Sequence, residues 1–170
     1  MKRVIKSIML VSIFSIIAGY SCSNKNENKE DENPNPNEEV EYPIEIPFED
    51  YSLAGTSCKW KRFQGKTYEY ELITIKNNED LDNYIECTGE SSYPEIDFSK
   101  YTLLLARGIA SSTNKVGYYS LQQFSEQGYE MKVDVFLTHA TIISYWQVPI
   151  IVNKLSEGYA IELIVTHKSI

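Results

Sequence analysis

Between Tyr129 and Thr138 apolar and polar side chains alternate: Tyr129, Met131, Val133, Val135 and Leu137 fall on one side, Glu130, Lys132, Asp134 and Thr138 on the other. Successive side chains of a strand point to opposite faces, so this pattern demands a strand with one face on a core and one in water. A sheet with at least one buried face is therefore the starting constraint. Upstream, 101–109 holds the run Leu103, Leu104, Leu105, Ala106, of strand length and apolar throughout. Such a run reads as a central strand buried on both faces. A strand over 115–124 leads into the alternating one through the turn Ser125-Glu126-Gln127-Gly128. Strands over 144–152 and 159–166 are expected to pair as a hairpin around 153–158, with Pro149 placing the first at an edge or a bulge.

Ahead of these, Tyr68, Tyr70, Ile73 and Ile75 predict a strand over 67–76 whose alternation slips at Leu72. Asn77-Asn78-Glu79-Asp80 has the capping side chain and first-turn acids of a helix start. Leu81, Tyr84 and Ile85 then form one apolar stripe, and the helix is expected to stop near Thr88-Gly89 with Cys87 on its last turn. Asp97, in Asp-Phe-Ser-Lys, is expected to accept backbone N–H bonds and fix the loop entering the central strand. The predicted class is α+β: a mainly antiparallel, meander-like sheet of about five to seven strands with one short helix packed on one face. It occupies a single domain, 51–170.

The first fifty residues have a different composition. Residues 1–21 carry Lys2, Arg3 and Lys6 ahead of an apolar stretch from Ile8 through Ala18, the layout of a secretory signal peptide. That stretch falls short of the roughly 20 apolar residues needed to span a bilayer. Cys22 follows directly, in a setting that resembles a lipobox, although Gly19 and Tyr20 depart from the usual branched and small residues. Lipidation of Cys22 with two or three acyl chains would anchor the chain stably. Residues 23–50 carry two lysines against ten acids, a net of −8, and 23–32 contains no apolar residue. Residues 22–50 are thus expected as a lipidated cysteine and a disordered acidic tether. Acids just behind the cysteine resemble the surface-export signal of Bacteroidales-type lipoproteins, and the other reading is a plain solvated spacer. The expected location is the cell envelope, lipid-anchored at the outer membrane and surface-exposed if that signal operates.

With Cys22 consumed, Cys58 and Cys87 remain as an even pair in an oxidising compartment, and a structural disulfide is expected. Their spacing is not that of a CxxC redox motif, and with only His139 and His167 elsewhere they make a poor zinc site. Both histidines are read as solvated loop residues. Nothing provides a nucleophile beside them, so no catalytic residue, metal or cofactor is expected. Residues 51–170 hold eleven basic and fourteen acidic residues, which argues against nucleic acid, since that partner needs a basic face. Thirteen tyrosines are the surplus in the composition. Trp60, Tyr118, Tyr119, Tyr145 and Trp146 are the candidates for a binding surface, against the alternative that these rings are core. Lys59-Trp60-Lys61-Arg62 adds a cationic contact or a solvated edge around one buried ring.

From Ile73 onward, "ITIKNNEDLDNYI" (73–85), "IDFSKYTLLLARG" (96–108), "VGYYSLQQF" (116–124) and "YWQVPIIVNKL" (145–155) follow one order of features. That order resembles the PrcB C-terminal-like domain, while the tether and cysteine pair look like small Bacteroidales lipoproteins. Val116-Gly117-Tyr118 departs from the paired glycines usual before that tyrosine. The resemblance implies a protein-binding accessory role without chemistry of its own. The expected function is a non-enzymatic envelope lipoprotein that binds a protein partner, with the membrane reached through Cys22. Two alternatives stay open: a glycan-binding face of exposed Tyr and Trp, and an inhibitor that inserts 109–115 into an extracellular protease.

Overall fold

Residues 40–90, 92–140 and 142–170 are described by the computed structural model, and the leader, Cys22 and the first part of the tether lie outside them. In chain order the elements are β1 (Ile44–Glu45), β2 (Glu49–Asp50), β3 (Cys58–Trp60), β4 (Tyr70–Ile75), α1 (Asn78–Asp82) and β5 (Ile85–Cys87). The longer strands follow: β6 (Tyr101–Ala110), β7 (Asn114–Ser125), β8 (Gly128–Leu137), β9 (Ser144–Asn153) and β10 (Ala160–Ser169). A front sheet has the order β1-β7-β8-β10, a back sheet β2-β9-β6-β4, and β3-β5 is a separate ribbon.

The mainly antiparallel sheet with one short helix is present, with ten strands among the described residues where five to seven were expected. The sheets pack face to face. Leu121, Met131, Val133 and Val135 of the front sheet meet Leu104, Ala106, Val148 and Ile150 of the back sheet. The strict alternation of β8 follows from this, because only one of its faces meets the other sheet. On the outer side of the back sheet, Ile75, Leu103 and Leu105 form a second core with Leu81 of α1 and Ile85 of β5. Leu103, Leu104 and Leu105 are all fully buried, so β6 is the central strand covered on both faces. The slip at Leu72 has the same cause: Leu72 faces the inter-sheet core while Ile73 and Ile75 face the second one.

Three expectations are corrected. First, β9 and β10 do not form a hairpin. β9 pairs antiparallel with β6 over ten residues of each, whereas β10 joins the front sheet parallel to β8. The connection 154–159 therefore crosses between sheets. Pro149 fits this arrangement, since its carbonyl accepts from Tyr51 N–H at 3.0 Å on the side away from β6. Its missing N–H lies on that same side and costs β6 no ladder bond. Second, the helix ends at Asp82, and Cys87 lies on β5, not on a last helical turn. Asn77 does cap the start, accepting from Asp80 N–H at 2.7 Å. Five residues of helix gain little on their own, and pairing of 85–87 with 58–60 wins. Third, pairing reaches back past the expected boundary at Tyr51. β1 pairs with β7 and β2 with β9, because Ile46 and Phe48 pack on the inter-sheet core.

Glycine is required at Gly108. A Cβ there would stand 2.6 Å from the Trp146 ring and 2.9 Å from the Glu69 carbonyl oxygen. Gly108→Ala is expected to cost about 1–3 kcal/mol of stability by overpacking. Urea unfolding checks it, and a midpoint equal to the parent's would show that the ring has room to move.

Candidate functional site

Beyond the second core, the outer face of the back sheet carries polar and aromatic groups. The register sets Glu71, Arg107 and Gln147 side by side on β4, β6 and β9, with Tyr145 opposite Ile109. The Arg107 guanidinium donates from Nε to Glu71 Oε1 at 2.7 Å and from Nη1 to the Lys61 carbonyl at 3.3 Å. It lies between the rings of Phe63 (5.5 Å) and Tyr84 (5.1 Å). Arg107 is thus neutralised and held, and it fixes the 61–63 segment over the sheet. Arg62 is held differently. Its guanidinium lies 5.4 Å from the Tyr145 ring centroid, and no carboxylate of a described residue pairs with it.

Trp60 stands at the centre of this region, edge-on to Tyr51 at 5.9 Å. It lines three clefts. One of about 220 Å³ lies between Arg62, Phe63, Tyr145 and Gln147, and one of about 670 Å³ runs past Lys59, Lys61 and Tyr84. The third, about 640 Å³, opens between β7 and β9 and is bounded by Val116, Tyr119 and Pro149. Tyr119 donates to Asp50 Oδ1 at 2.6 Å, stitching β7 to β2, and that bond together with burial pushes its phenol up to about 12. Lys59 pairs with Glu86 at 3.3 Å, and Lys61 Nζ donates to the Asp82 carbonyl at 2.9 Å. The disulfide Cys58–Cys87 joins directly opposed residues of β3 and β5, so it clamps the ribbon that carries Trp60.

The five aromatic candidates do not form one platform. Tyr145 is 45% exposed and Trp146 only 4%, because adjacent residues of β9 face opposite ways. Trp146 is a core residue packed against Gly108, which corrects its place in the surface. Tyr118, 62% exposed, sits where the register with β8 shifts between Val116 and Tyr119, and it lines none of the three clefts. Trp60 and Tyr145 do come together, and Tyr119 reaches the same region from the front sheet. Sequence reasoning missed Arg107, whose signal is a lone charge inside an otherwise apolar strand.

Other candidates resolve simply. Asp97 Oδ1 accepts from Ser99 N–H at 3.1 Å; bonds from Ser99, then Lys100, hold its carboxyl below the usual range. The segment 109–115 is held down over part of its length: Ile109, Ala110 and Ser112 are buried and Ser144 Oγ donates to the Ser112 carbonyl, while Thr113 and Lys115 are exposed. It is the short crossing from back sheet to front. His139 is exposed in a loop, but His167 lies on β10, not in a loop, with Nε2 buried and without a hydrogen-bond partner among the described residues, its ring 5.5 Å from Tyr68. Burial lowers its pKa below the ordinary 6.5. The unfolded chain therefore binds a proton that the folded histidine resists, so stability held above pH 6.5 is lost as pH falls. The melting temperature should drop as pH falls through and below 6.5, and His167→Gln should flatten the drop. An unchanged slope in that variant would exclude His167 as the source.

No family model, curated protein or solved structure matches the chain.

Proposed function

We propose that the chain is a non-enzymatic, lipid-anchored module of the cell envelope that binds a protein partner through the Trp60–Arg62–Tyr145 face. The supporting observation is Arg62, which lies on an exposed tyrosine ring beside Trp60 with no carboxylate from a described residue. Arg, Tyr and Trp are the residue types that dominate binding energy at protein interfaces. An unpaired guanidinium over a ring offers a fork to a carboxylate on the partner, and the 220 Å³ cleft accepts a side chain. The motif order that resembles the PrcB C-terminal-like domain supports an accessory role. The signal-like segment 1–21 and Cys22 support the anchor, and the acids behind Cys22 support outer-membrane surface display.

The test is cross-linking in envelopes of the native cell, followed by affinity measurement on the partner captured. Arg62→Glu and Tyr145→Ala should each weaken binding by about tenfold or more while the melting point holds, as expected for central interface residues. Unchanged affinity in both variants would remove this face from the reading. Cys22→Ala should abolish acyl labelling and release the chain from the membrane fraction; retention in that fraction would remove the anchor. A glycan reading draws on the same exposed Tyr145 ring with the Gln147 amide beside it. Quenching of Trp60 fluorescence by a polysaccharide, in a chain that captures no protein, would favour it.

A further inference from the structure

We infer that β10 is a homodimerisation edge: two copies of the chain pair their β10 strands antiparallel about Val165 and join their front sheets into one. β10 keeps an unbroken parallel register with β8, from Ala160 opposite Gly128 to Ser169 opposite Leu137. Ala160 N–H bonds Gln127 O at 2.8 Å, and Ile170 N–H bonds Leu137 O at 3.0 Å, so the even-numbered residues bond toward β8. Backbone groups of successive strand residues point to opposite edges. The N–H and C=O groups of Ile161, Leu163, Val165, His167 and Ser169 therefore point away from β8, and among the described residues no strand hydrogen-bonds to them, although β4 of the back sheet lies close by. Few of the usual protections of an edge are present: β10 has no proline and no bulge, and its charged residues are Glu162 and Lys168.

The occupant is a second copy because β10 carries its own complement. A two-fold through Val165, one of the outward residues, sets Glu162 directly opposite Lys168 of the second copy, and the reverse. Both side chains are exposed on the outer face of the front sheet, and Lys168 is already positioned there by Asp134. The pair forms twice per dimer, at the non-hydrogen-bonded positions where side chains approach most closely. On the inner face Val165 meets Val165 of the second copy and Leu163 meets its His167. Ile161, Leu163 and Val165 are half-exposed at the rim of the inter-sheet core, and the second copy covers them.

Sedimentation equilibrium of the full chain in density-matched detergent tests this, with Glu162→Lys and Lys168→Glu as variants. The parent should show a monomer–dimer equilibrium. Each variant alone should weaken it by about tenfold or more, since like charges then face each other at both symmetric positions. Mixing the two variants should restore a dimer, because one copy then carries two lysines and the other two glutamates. A melting temperature that stays well above that of the run shows that each variant remains folded, and Lys168→Glu should lower it modestly by breaking the Asp134 pair. A parent that is monomeric at every concentration overturns the inference. So does a dimer indifferent to both variants, or a mixture that fails to re-form one. Slow amide exchange at Leu163 and Val165 in a monomeric chain would show another segment of this chain or another protein on the edge, and would also overturn it.

Discussion

Leu104→Ala is expected to lower the free energy of unfolding by about 2–5 kcal/mol, read from the urea midpoint at constant slope. Leu104 is fully buried between the sheets, and its backbone is held on both sides, opposite Thr74 on β4 and Ile150 on β9. Strands fixed by ladders on either flank cannot close in on a vacancy, so most of the cavity should persist. Leu105→Ala makes the sharper comparison. Its side chain points the other way, into the core covered by a five-residue helix and the β3–β5 ribbon. That thinner layer can settle inward, so the cost should fall toward the lower end of the range. A loss below about 1 kcal/mol for Leu104→Ala, or a larger loss for Leu105→Ala, would contradict the assignment of the main core to the inter-sheet space.

Replacing both Cys58 and Cys87 with serine should cost about 3–4 kcal/mol, the loop-closure value for a separation of 29 residues. The consequence is local as well as global. β3 and β5 are three-residue strands, and an isolated two-stranded ribbon that short is marginal in water. Without the cross-link the ribbon should fray first and release Trp60 from Tyr51, with a red shift of tryptophan emission at denaturant concentrations that leave the sheets intact. Binding through the Arg62 face should weaken in parallel, because Trp60 ends β3 and Lys61 and Arg62 continue directly from it. Coincident unfolding of oxidised and double-serine chains would show that the disulfide contributes nothing.

Several of these features were legible in the sequence because they are local. The hairpin of β7 and β8 follows from alternation and a Glu126-Gln127 turn, and the helix start from Asn77 and its reach to Asp80. The cysteine pair followed from compartment and parity, although the strand that holds Cys87 did not. The site was half legible. The Lys59-Trp60-Lys61-Arg62 cluster marked its place, yet Tyr145 and Trp146 were grouped together although neighbouring strand residues cannot share a face. Arg107 passed unnoticed because its partner, Glu71, lies on another strand.

By itself, then, the sequence determined that β4 and β6 to β10 are strands, which faces of β6 and β8 are buried and where β7 turns into β8. Those properties depend on residues within a few positions of each other. Only the tertiary structure decided which strands pair. The link 154–159 would serve a hairpin or a crossing equally well, and β6 settled the matter by presenting a full-length edge that β9 fills over ten residues. β10 was then left to lie parallel to β8, with its outer edge unpaired among the described residues. Strand partnership is a competition between distant segments for the same hydrogen bonds, and no local pattern records its outcome.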